Sequence, residues 1–392
     1  MSGTEVILHR STDTGAPSLV GAVNSLVALF DACLVNGYNS KSVQSITRTG
    51  STATVTFATA HGYAVDGGTK VEIMSATQAE YNGIKKIFNV TANTFDFTVT
   101  GTPATPATGT ITSRVPPLGW SKTYSGTNKA AYRSNEVTGT RLYLRVDDTV
   151  ALTSYLRGYE TMSDVDTGAG LFPTTAQLSS GIALDKANVV DATGRPWVMA
   201  GDGFEFHFFY AYHLTTYAGI YRHFHFGDPA SEMASDPYGC LIYGSDAASP
   251  GGTPNNSHTS QLIPSSTGTV TAQAGHFYAR PYSQVGSSQP AVKVGDQQLS
   301  GTASGGDAAL IFPAPNNNRF YTSPLYAADA GQYCLRSQIK GIWRPCHVRP
   351  FGNAVLIAAA DSPLTRRLFT ISTVYSAAVA GETHVDIDGP WR

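Results

Sequence analysis

The chain has 392 residues, a length that accommodates two or three domains and a sizeable core. Its net charge of −2 argues against an electrostatic footprint for nucleic acid, and no run of basic residues indicates binding to a membrane surface. Charged residues make up only 14% of the chain, whereas 39 glycines and 21 prolines accompany abundant serine and threonine. This composition is typical of an all-β assembly component and predicts a mainly β fold.

The N-terminal segment MSGTEVILHRS does not have the pattern of a secretory signal. It lacks a long apolar core and a cleavage site with small residues. No stretch of the chain approaches the roughly eighteen consecutive apolar residues that a membrane-spanning helix needs. We therefore expect synthesis in a cytosol and no insertion into a membrane.

Residues 1–40 contain one pattern typical of a helix, over residues 18–36. Ser18 fits an N-cap position after Pro17, and Asn36-Gly37 is a typical stop signal. Apolar side chains recur at three- and four-residue spacings, at Leu19, Val23, Leu26, Phe30, Cys33 and Leu34. Because the opposite side is also apolar or small, the helix needs burial on more than one side. Two interpretations stay open: packing on its own domain, or attachment and oligomerisation through Leu19, Val23, Leu26, Phe30 and Leu34.

Residues 41–114 alternate between two sets of side chains with a period of two. The alternation is clearest over 43–48, 52–57 and 94–99, where β-branched and aromatic residues recur. Turn residues separate the runs, at Gly50, Asp66-Gly67-Gly68 and Asn82-Gly83. About five short strands in some seventy residues cannot make a large core, which predicts a small barrel or sandwich.

Three phrases of this segment resemble a β module that is common in tail and baseplate proteins of tailed bacteriophages. They are TVTFATAHGYAVDGGTKVEI, EYNGIKKIFNVTANTFDFTV and GTPATPATGT. The most specific part of the resemblance is the pair His61-Gly62-Tyr63 and Tyr81-Asn82-Gly83. The phage module is similar to a small barrel domain of ubiquitin-activating enzymes, where it is also non-catalytic. The resemblance covers residues 41–114 and implies a virion protein with a small β-barrel module there.

Residues 101–118, GTPATPATGTITSRVPPL, predict an extended linker with little secondary structure. We place the domain boundary near Val115-Pro116-Pro117, so that residues 115–392 form the C-terminal domain. Residues 11–17 and the helix after them resemble the start of uncharacterised phage virion proteins. Further phrases of the C-terminal domain resemble the same proteins, at Gly119-Trp120, Ser125-Gly126-Thr127-Asn128-Lys129, Arg145-Val146-Asp147-Asp148, His225-Phe226-Gly227-Asp228 and Asp388-Gly389-Pro390-Trp391-Arg392.

The densest aromatic segment of this domain, residues 204–226, reads FEFHFFYAYHLTTYAGIYRHFHF. Its period of two predicts a central hairpin of a β-sandwich, whose first strand carries on one face Glu205, His207, Phe209, Ala211 and His213. His223 and His225 share a face of the second strand. Two interpretations stay open: a metal site formed by His207, His213, His223 and His225, or a polar or half-buried face of the sheet on which each histidine is hydrogen-bonded. Because spacing fixes no carboxylate or third ligand, we predict no metal site.

Further strands recur with turns about every ten residues, which favours an antiparallel β-sandwich or jelly-roll, at 238–243, 277–281, 290–294, 308–312, 340–348, 354–360 and 367–374. The loops 244–260 and 296–307 are polar and rich in glycine, and we expect them at one end of the sandwich. Exposed Tyr and Trp beside Asn and Asp suit sugar recognition on such loops. The same loops also suit contacts with neighbouring subunits.

Carboxylates at Asp147-Asp148, Asp164, Asp166 and Glu205 would form a glycosidase pair only if the fold brought two of them within about 5–10 Å across a cleft. No spacing requires this, and Asp147-Asp148 fits the end of a strand and a turn. The segment 164–168 resembles the start of a calcium loop but lacks its downstream glutamate. No signature of the common hydrolases or nucleotide-binding enzymes occurs. We therefore predict no catalytic residue and no cofactor.

The chain has four cysteines, none of which forms a CxxC pair, at Cys33, Cys240, Cys334 and Cys346. In a protein of cytosolic origin we expect reduced and mostly buried thiols. A zinc site needs closely paired ligands, and the adjacent Cys346-His347 pair has poor chelate geometry.

These observations and the resemblance predict a non-enzymatic structural component of a tailed-phage virion, at the tail tip or baseplate, assembled in the host bacterial cytoplasm. We expect other virion proteins as partners, a homotrimer as the first choice of assembly and a host-surface glycan as a candidate ligand. Alternatives are a receptor- or glycan-binding protein of the tail-fibre or spike type, a capsid decoration or collar protein, and a polysaccharide depolymerase.

Overall fold

A computed structural model gives the architecture of the chain and describes residues 4–64, 69–215, 221–233, 235–244, 275–294, 313–330, 334–347, 351–359, 361–362, 364–372 and 382–392. Across these residues the chain is mainly β, as predicted, with 26 strands in three antiparallel sheets. Apart from Gly244, the predicted loops 244–260 and 296–307 lie outside the described residues. The predicted strand 308–312 and the turn at 66–68 also lie outside them.

The N-terminal segment contributes the first strand, β1 (Ile7–Arg10). This strand pairs antiparallel with Trp197–Gly201, so that Ile7 lies opposite Gly201 and Arg10 opposite Val198. Ile7 and His9 are buried, in line with the alternating pattern of the strand. The N-terminal segment is therefore built into a sheet of the C-terminal region.

The helix predicted over residues 18–36 is shorter than expected. Helix α1 (Ser25–Phe30) continues into a π-helical segment, Asp31–Asn36. The segment ends at Gly37, where the stop signal predicts an end, and its positive φ of 69° is one that glycine adopts readily, although its ψ of 178° differs from the left-handed helical conformation. Among the described residues, no helix has the length and hydrophobicity that crossing a membrane requires.

The predicted N-cap at Ser18 is wrong because tertiary pairing competes with the helical pattern. Leu19 forms an isolated antiparallel β-bridge with Arg195, which holds the preceding chain in an extended form. Asn24, directly before the helix, has a left-handed φ of 66°. The periodicity of apolar residues indicates which side chains are buried. Here some of these buried side chains belong to extended backbone and not to a helix.

Residues 38–115 form a seven-stranded sheet. Its members are β2 (Tyr38–Ser42), β3 (Ser45–Thr49), β4 (Thr52–Thr56), β5 (Lys70–Met74), β6 (Gly83–Phe88), β7 (Thr94–Thr98) and β8 (Thr112–Val115), in the order β2-β8-β5-β6-β7-β4-β3. The predicted alternation is confirmed in β4, where Ala53 and Val55 are buried, and in β7, where Phe95 and Phe97 are buried. Gly50 turns the chain between β3 and β4 with a φ of 61°.

The predicted linker at 101–118 is partly wrong, because its second half is ordered and buried. Strand β8 pairs with both β2 and β5. Ile111, Ser113 and Val115 alternate toward the interior, and Pro116-Pro117 is buried as well. The residues at the boundary between the small sheet and the following part of the chain are therefore buried.

The next sheet has six strands. Its members are β9 (Trp120–Gly126), β10 (Lys129–Ser134), β11 (Tyr143–Asp147), β12 (Thr153–Met162), β13 (Gly168–Phe172) and β14 (Ile182–Asp185). The order is β13-β12-β11-β10-β9, and β14 also pairs with β12. In β11 the side chains of Leu144 and Val146 are buried.

The third sheet contains β1 and twelve later strands. They are β15 (Trp197–Gly201), β16 (Glu205–Tyr210), β17 (Arg222–Gly227), β18 (Ala230–Ser231), β19 (Leu241–Tyr243), β20 (His276–Tyr278), β21 (Gln289–Val294), β22 (Thr322–Asp329), β23 (Cys334–Pro345), β24 (Leu356–Ile357), β25 (Leu368–Ser372) and β26 (Glu382–Asp386). The order is β1-β15-β16-β17-β19-β20-β21-β22-β23-β26-β25-β24, with β18 paired to β23.

Phe30 of α1 lies between the second and third sheets. Its ring centroid is 6.0 Å from that of Tyr132 on β10, and 5.5 and 5.6 Å from those of Phe206 and Phe208 on β16. One hydrophobic core includes residues of the N-terminal segment, the small sheet and both larger sheets. A second core joins early and late strands of the third sheet, for example through Phe209 and Ile342.

Candidate functional site

A row of aromatic side chains crosses four strands of the third sheet. His207 on β16 lies opposite His225 on β17, which lies opposite Tyr243 on β19, which in turn lies opposite His276 on β20. Neighbouring ring centroids in this row are 4.7, 4.8 and 5.2 Å apart. The predicted hairpin of β16 and β17 is confirmed, and its register places the histidines side by side.

Both faces of this hairpin are buried. Phe206, Phe208 and Phe224 face the first core, whereas His207 and His225 face the second core with no exposed area. The expected half-buried face of hydrogen-bonded histidines is therefore wrong in its degree of burial. Strands covered on both sides are typical of the centre of a packed β domain.

Glu205 lies on the same face as His207 and His225, and we name these three residues the Glu–His cluster. One ligand atom of each residue lies within 4.8 Å of those of the other two, and all three side chains are fully buried. The Glu205 Oε2 atom is 3.0 Å from His225 Nε2. The cluster thus joins two imidazoles and a carboxylate, a donor set that can hold a transition-metal ion.

The orientation of His207 is set from another strand. Its Nε2 is 3.0 Å from the backbone carbonyl oxygen of Lys340 on β23, so the Nε2–H donates to that oxygen. This tautomer leaves a lone pair on Nδ1, which lies 3.1 Å from His223 Nε2 and 3.4 Å from the Tyr243 hydroxyl. His207 therefore turns an acceptor nitrogen toward its neighbours on the hairpin.

The electrostatics of the cluster are dominated by burial. Burial raises the pKa of Glu205 to about 8, while the positive charges of Arg392 and Lys340 act in the opposite direction. The Arg392 guanidinium donates from Nη2 to Glu205 Oε1 over 3.2 Å and lies 4.2 Å from the centre of the Phe204 ring. Glu205 is therefore bracketed by an imidazole on one side and a guanidinium on the other.

Two further buried carboxyl groups lie close by. Asp202 accepts hydrogen bonds at Oδ1 from the backbone N–H groups of Phe204 and Glu205, and its pKa is raised to about 7 by burial and by Glu205. Burial also raises the pKa of Asp228, which accepts hydrogen bonds from Thr140. Burial therefore favours the neutral form of the carboxyl groups around the Glu–His cluster.

An open cleft adjoins this region. It has a volume of about 470 Å³ and is lined among others by Phe204, Asp228, Asp236 and Arg392. Arg392 both lines the cleft and contacts Glu205, so it connects the cleft with the buried cluster. A cleft of this size with an aromatic ring and several charged groups can hold a small polar ligand.

His213 and Asp166, which the sequence analysis also considered, do not join the cluster. His213 lies three residues beyond the end of β16 and contacts Thr215. Asp166 is held by Lys129 and Arg145, at 2.9 and 2.5 Å, on the second sheet. Two cations on this carboxylate disfavour the calcium loop considered for this segment.

Asp148 has a structural role in the interior. It is fully buried, forms an ion pair with Lys186, and accepts hydrogen bonds from Leu26 N and Ser154 Oγ at 2.8 and 2.7 Å. Asp147, in contrast, pairs with Arg145 at 3.0 Å at the end of its strand. The interpretation of Asp147-Asp148 as a strand end agrees with Asp147, whereas Asp148 holds the start of α1.

Four of the five side chains considered for oligomerisation lie in the core of this chain. Leu19, Leu26, Phe30 and Leu34 have no exposed area, and only Val23, at 44%, reaches the surface. An interface through the four buried side chains would require this core to open. Of the four cysteines, Cys33 and Cys240 are buried, whereas Cys334 and Cys346 are partly exposed.

The sequence interpretation missed Glu205 as a partner of the histidines. Glu205-x-His207 on the first strand has the same two-residue spacing as His223-x-His225 on the second. A carboxylate on the histidine face was therefore visible in the pattern. The contributions of Lys340 and Arg392 were not, because they come from residues more than 130 positions away.

The chain matches no protein-family model and no curated protein. Its function is therefore inferred from the geometry of the described residues and from the resemblance of the small β module.

Proposed function

We propose that this protein is a non-enzymatic structural component of a tailed-phage virion, placed at the tail tip or baseplate. The observation that carries the proposal is the single hydrophobic core that runs through the N-terminal segment, the small sheet and both larger sheets. A core of this kind makes the chain a stiff block, which suits a particle that must withstand mechanical force. The resemblance of residues 41–114 to the phage tail module supports the same assignment.

In this proposal each part of the chain has a mechanical role. The small sheet acts as a barrel-like spacer, and the third sheet acts as a jelly-roll-like body that contacts other virion proteins. Helix α1 works as an internal wedge between the second and third sheets, since Phe30 packs on both. Attachment to other virion proteins then uses outer surfaces of the chain, so that helix α1 stays packed between the second and third sheets.

A second candidate function is binding of a host-surface glycan. The open cleft beside Arg392 favours it, because Phe204 offers an aromatic ring and Arg392 offers guanidinium N–H donors. Sugars are held by such combinations of a ring face and hydrogen-bonding side chains. In this case the protein would be a virion-surface receptor-binding protein.

Localisation on particles tests the first proposal. Antibodies against the purified chain are applied to phage particles from the bacterium that carries the gene, and gold labels are located by electron microscopy. We expect labels at the tail end, and peptides of the chain in the mass spectrum of purified particles. Labels on the capsid or neck would instead indicate a decoration or collar protein, and a chain absent from particles contradicts the proposal.

Solution measurements distinguish a structural trimer from a glycan-binding protein and from a depolymerase. Light scattering of the full chain is expected to give about three times 41.5 kDa if the protein is a trimer outside the particle. Binding to lipopolysaccharide that is lost in Arg392→Ala would support the glycan-binding candidate. Shortening of high-molecular-weight polysaccharide during incubation would identify a depolymerase and contradict a purely structural role.

A further inference from the structure

We propose that Glu205, His207 and His225 form a buried structural site for a divalent transition-metal ion of the zinc class. This site is independent of the proposed function, since it concerns how the third sheet is held together. Two imidazoles and one carboxylate are a known ligand set for zinc, and imidazole suits this ion better than Mg²⁺ or Ca²⁺.

The distances leave little rearrangement to be made. Zinc binds nitrogen and oxygen ligands at roughly 2.0–2.2 Å, so neighbouring ligand atoms of a tetrahedral site lie roughly 3.3 Å apart. Glu205 Oε2 and His225 Nε2 are already 3.0 Å apart. A ring nitrogen of His207 lies within 4.8 Å of one ligand atom of Glu205 and one of His225. Small rotations of the three side chains would bring their donor atoms to the distances of a tetrahedral site.

The orientation of His207 is that of a metal ligand. Histidines that bind metals usually donate their other ring N–H to a carboxylate or a backbone carbonyl, which fixes the tautomer. His207 donates from Nε2 to the Lys340 carbonyl oxygen at 3.0 Å, and this leaves Nδ1 as the donor atom for a metal. His223 Nε2, 3.1 Å from that Nδ1, is the nearest further nitrogen for a fourth position.

Carboxyl groups surround the cluster. Asp202, Glu205 and Asp228 are three buried carboxyl groups, and Arg392 is the guanidinium that contacts Glu205. The Lys340 ammonium is turned to the side-chain oxygen of Gln338. A divalent ion at the cluster would stabilise the ionised form of Glu205, which burial alone disfavours.

Such an ion would join β16 and β17 directly, and the hydrogen bond of His207 would extend this link to β23. Glu205 and His207 come from β16, His225 comes from β17, and the Lys340 carbonyl comes from β23 in the other half of the third sheet. Metal that binds only the folded chain adds its binding free energy to folding. The site would therefore stabilise the packing of the two halves.

The test measures metal content and affinity of the full chain. Protein is expressed in medium with added ZnSO₄, freed of loose ions by gel filtration, and its zinc content is measured by plasma mass spectrometry. We expect about one zinc per chain. Because the ligands are buried, chelator-treated protein is also refolded from urea with CoCl₂, which gives visible absorption bands when bound by nitrogen and oxygen donors.

Variants assign the ion to these residues. His225→Ala and Glu205→Gln are expected to lower zinc affinity at least about 100-fold, whereas His213→Ala, on the same hairpin segment but outside the cluster, keeps it. Near-ultraviolet circular dichroism checks that each variant folds, and Glu205→Gln keeps the shape if His225→Ala does not fold. The proposal is overturned if folded wild type holds less than a tenth of an ion per chain after both loadings. It is equally overturned if His213→Ala loses the ion, or if Glu205→Gln binds zinc as tightly as wild type.

Discussion

Asp148 shows how much one residue contributes to this fold. Its carboxylate is fully buried, pairs with Lys186 and accepts a hydrogen bond from Leu26 N in the first turn of α1. A carboxylate at this position satisfies a helix N–H group that has no partner within the helix. Burial lowers the pKa of Lys186, and Asp148 partly offsets that effect, so the ammonium depends on this carboxylate.

Replacing Asp148 by asparagine is therefore expected to be costly. Asp148→Asn leaves the buried Lys186 without a counter-charge and should lower the free energy of unfolding by about 3–5 kcal/mol. The measurement is urea denaturation followed by tryptophan fluorescence. Asp166→Asn, in an ion pair whose carboxylate is 51% exposed, is the control and should cost less than about 1 kcal/mol. Equal losses in the two variants would contradict the role of Asp148. Adding Lys186→Met to Asp148→Asn should recover part of the free energy of unfolding that Asp148→Asn loses.

His9 predicts a pH dependence of stability. Burial lowers the pKa of His9 from 6.5 to about 3, so between these values the unfolded chain binds a proton that the folded chain does not. The contribution of His9 to stability should therefore fall as the pH drops from 6.5 toward 3, by roughly 3 kcal/mol at pH 4.5 relative to pH 7. Glu205 and Asp202, whose pKa values are raised to about 8 and about 7, act in the opposite direction, so the His9 contribution is the difference between wild type and His9→Gln. Urea denaturation at both pH values measures this. His9→Gln should remove this loss and so gain roughly 3 kcal/mol of stability at pH 4.5 relative to pH 7, compared with wild type. His213→Gln, at a partly exposed side chain, should leave the pH dependence as in wild type. An unchanged pH dependence in His9→Gln would exclude a contribution of His9.

At the scale of elements, α1 illustrates the balance between helical pattern and tertiary packing. The apolar spacing predicts a long helix, but only Ser25–Asn36 of it is helical. The six residues before Asn24 are not helical, and Leu19 among them forms a β-bridge with Arg195. Its aromatic side chain, Phe30, contacts rings of two different sheets. Burial on two sides, which the composition of both helix faces predicted, is met within this chain.

Phe30→Ala tests the helix as an internal wedge. Removing a fully buried ring between two sheets should lower the free energy of unfolding by about 3–5 kcal/mol. Val23→Ala, at a side chain that is 44% exposed, should change it by less than about 0.5 kcal/mol. Denaturation gives both values, and light scattering of the same samples gives the mass. A change of assembly in Val23→Ala with full stability would instead show that this end of the segment contacts another subunit.

At the scale of the whole molecule, the N-terminal segment is not a separable appendage. Strand β1 pairs with β15, and α1 lies in the main core. Lys70 of the small sheet also pairs with Glu5, at 2.6 Å. Folding of the larger sheets therefore depends on residues that come before the small sheet in the sequence.

A chain that starts at Lys41 is consequently expected not to reach the native fold. It lacks β1 and α1 and exposes the apolar faces that they cover, including those of Phe206 and Phe208. Near-ultraviolet circular dichroism and light scattering should show lost tertiary signal and aggregation. A soluble, cooperatively unfolding product would contradict this dependence. Adding residues 1–40 as a separate peptide should restore part of the signal if the missing contacts are the cause.

The sequence alone determined the mainly β class, the paired strands of 204–226 and which of their residues share a face, because a period of two is a local property. It also located the turn at Gly50 and the stop at Gly37, where positive φ favours glycine. Only the tertiary structure decided that α1 starts at Ser25 and that residues 115–118 are buried. Only the tertiary structure brought Lys340 and Arg392 to Glu205 and His207. These features depend on which distant segments pack together, and local periodicity carries no information about that choice.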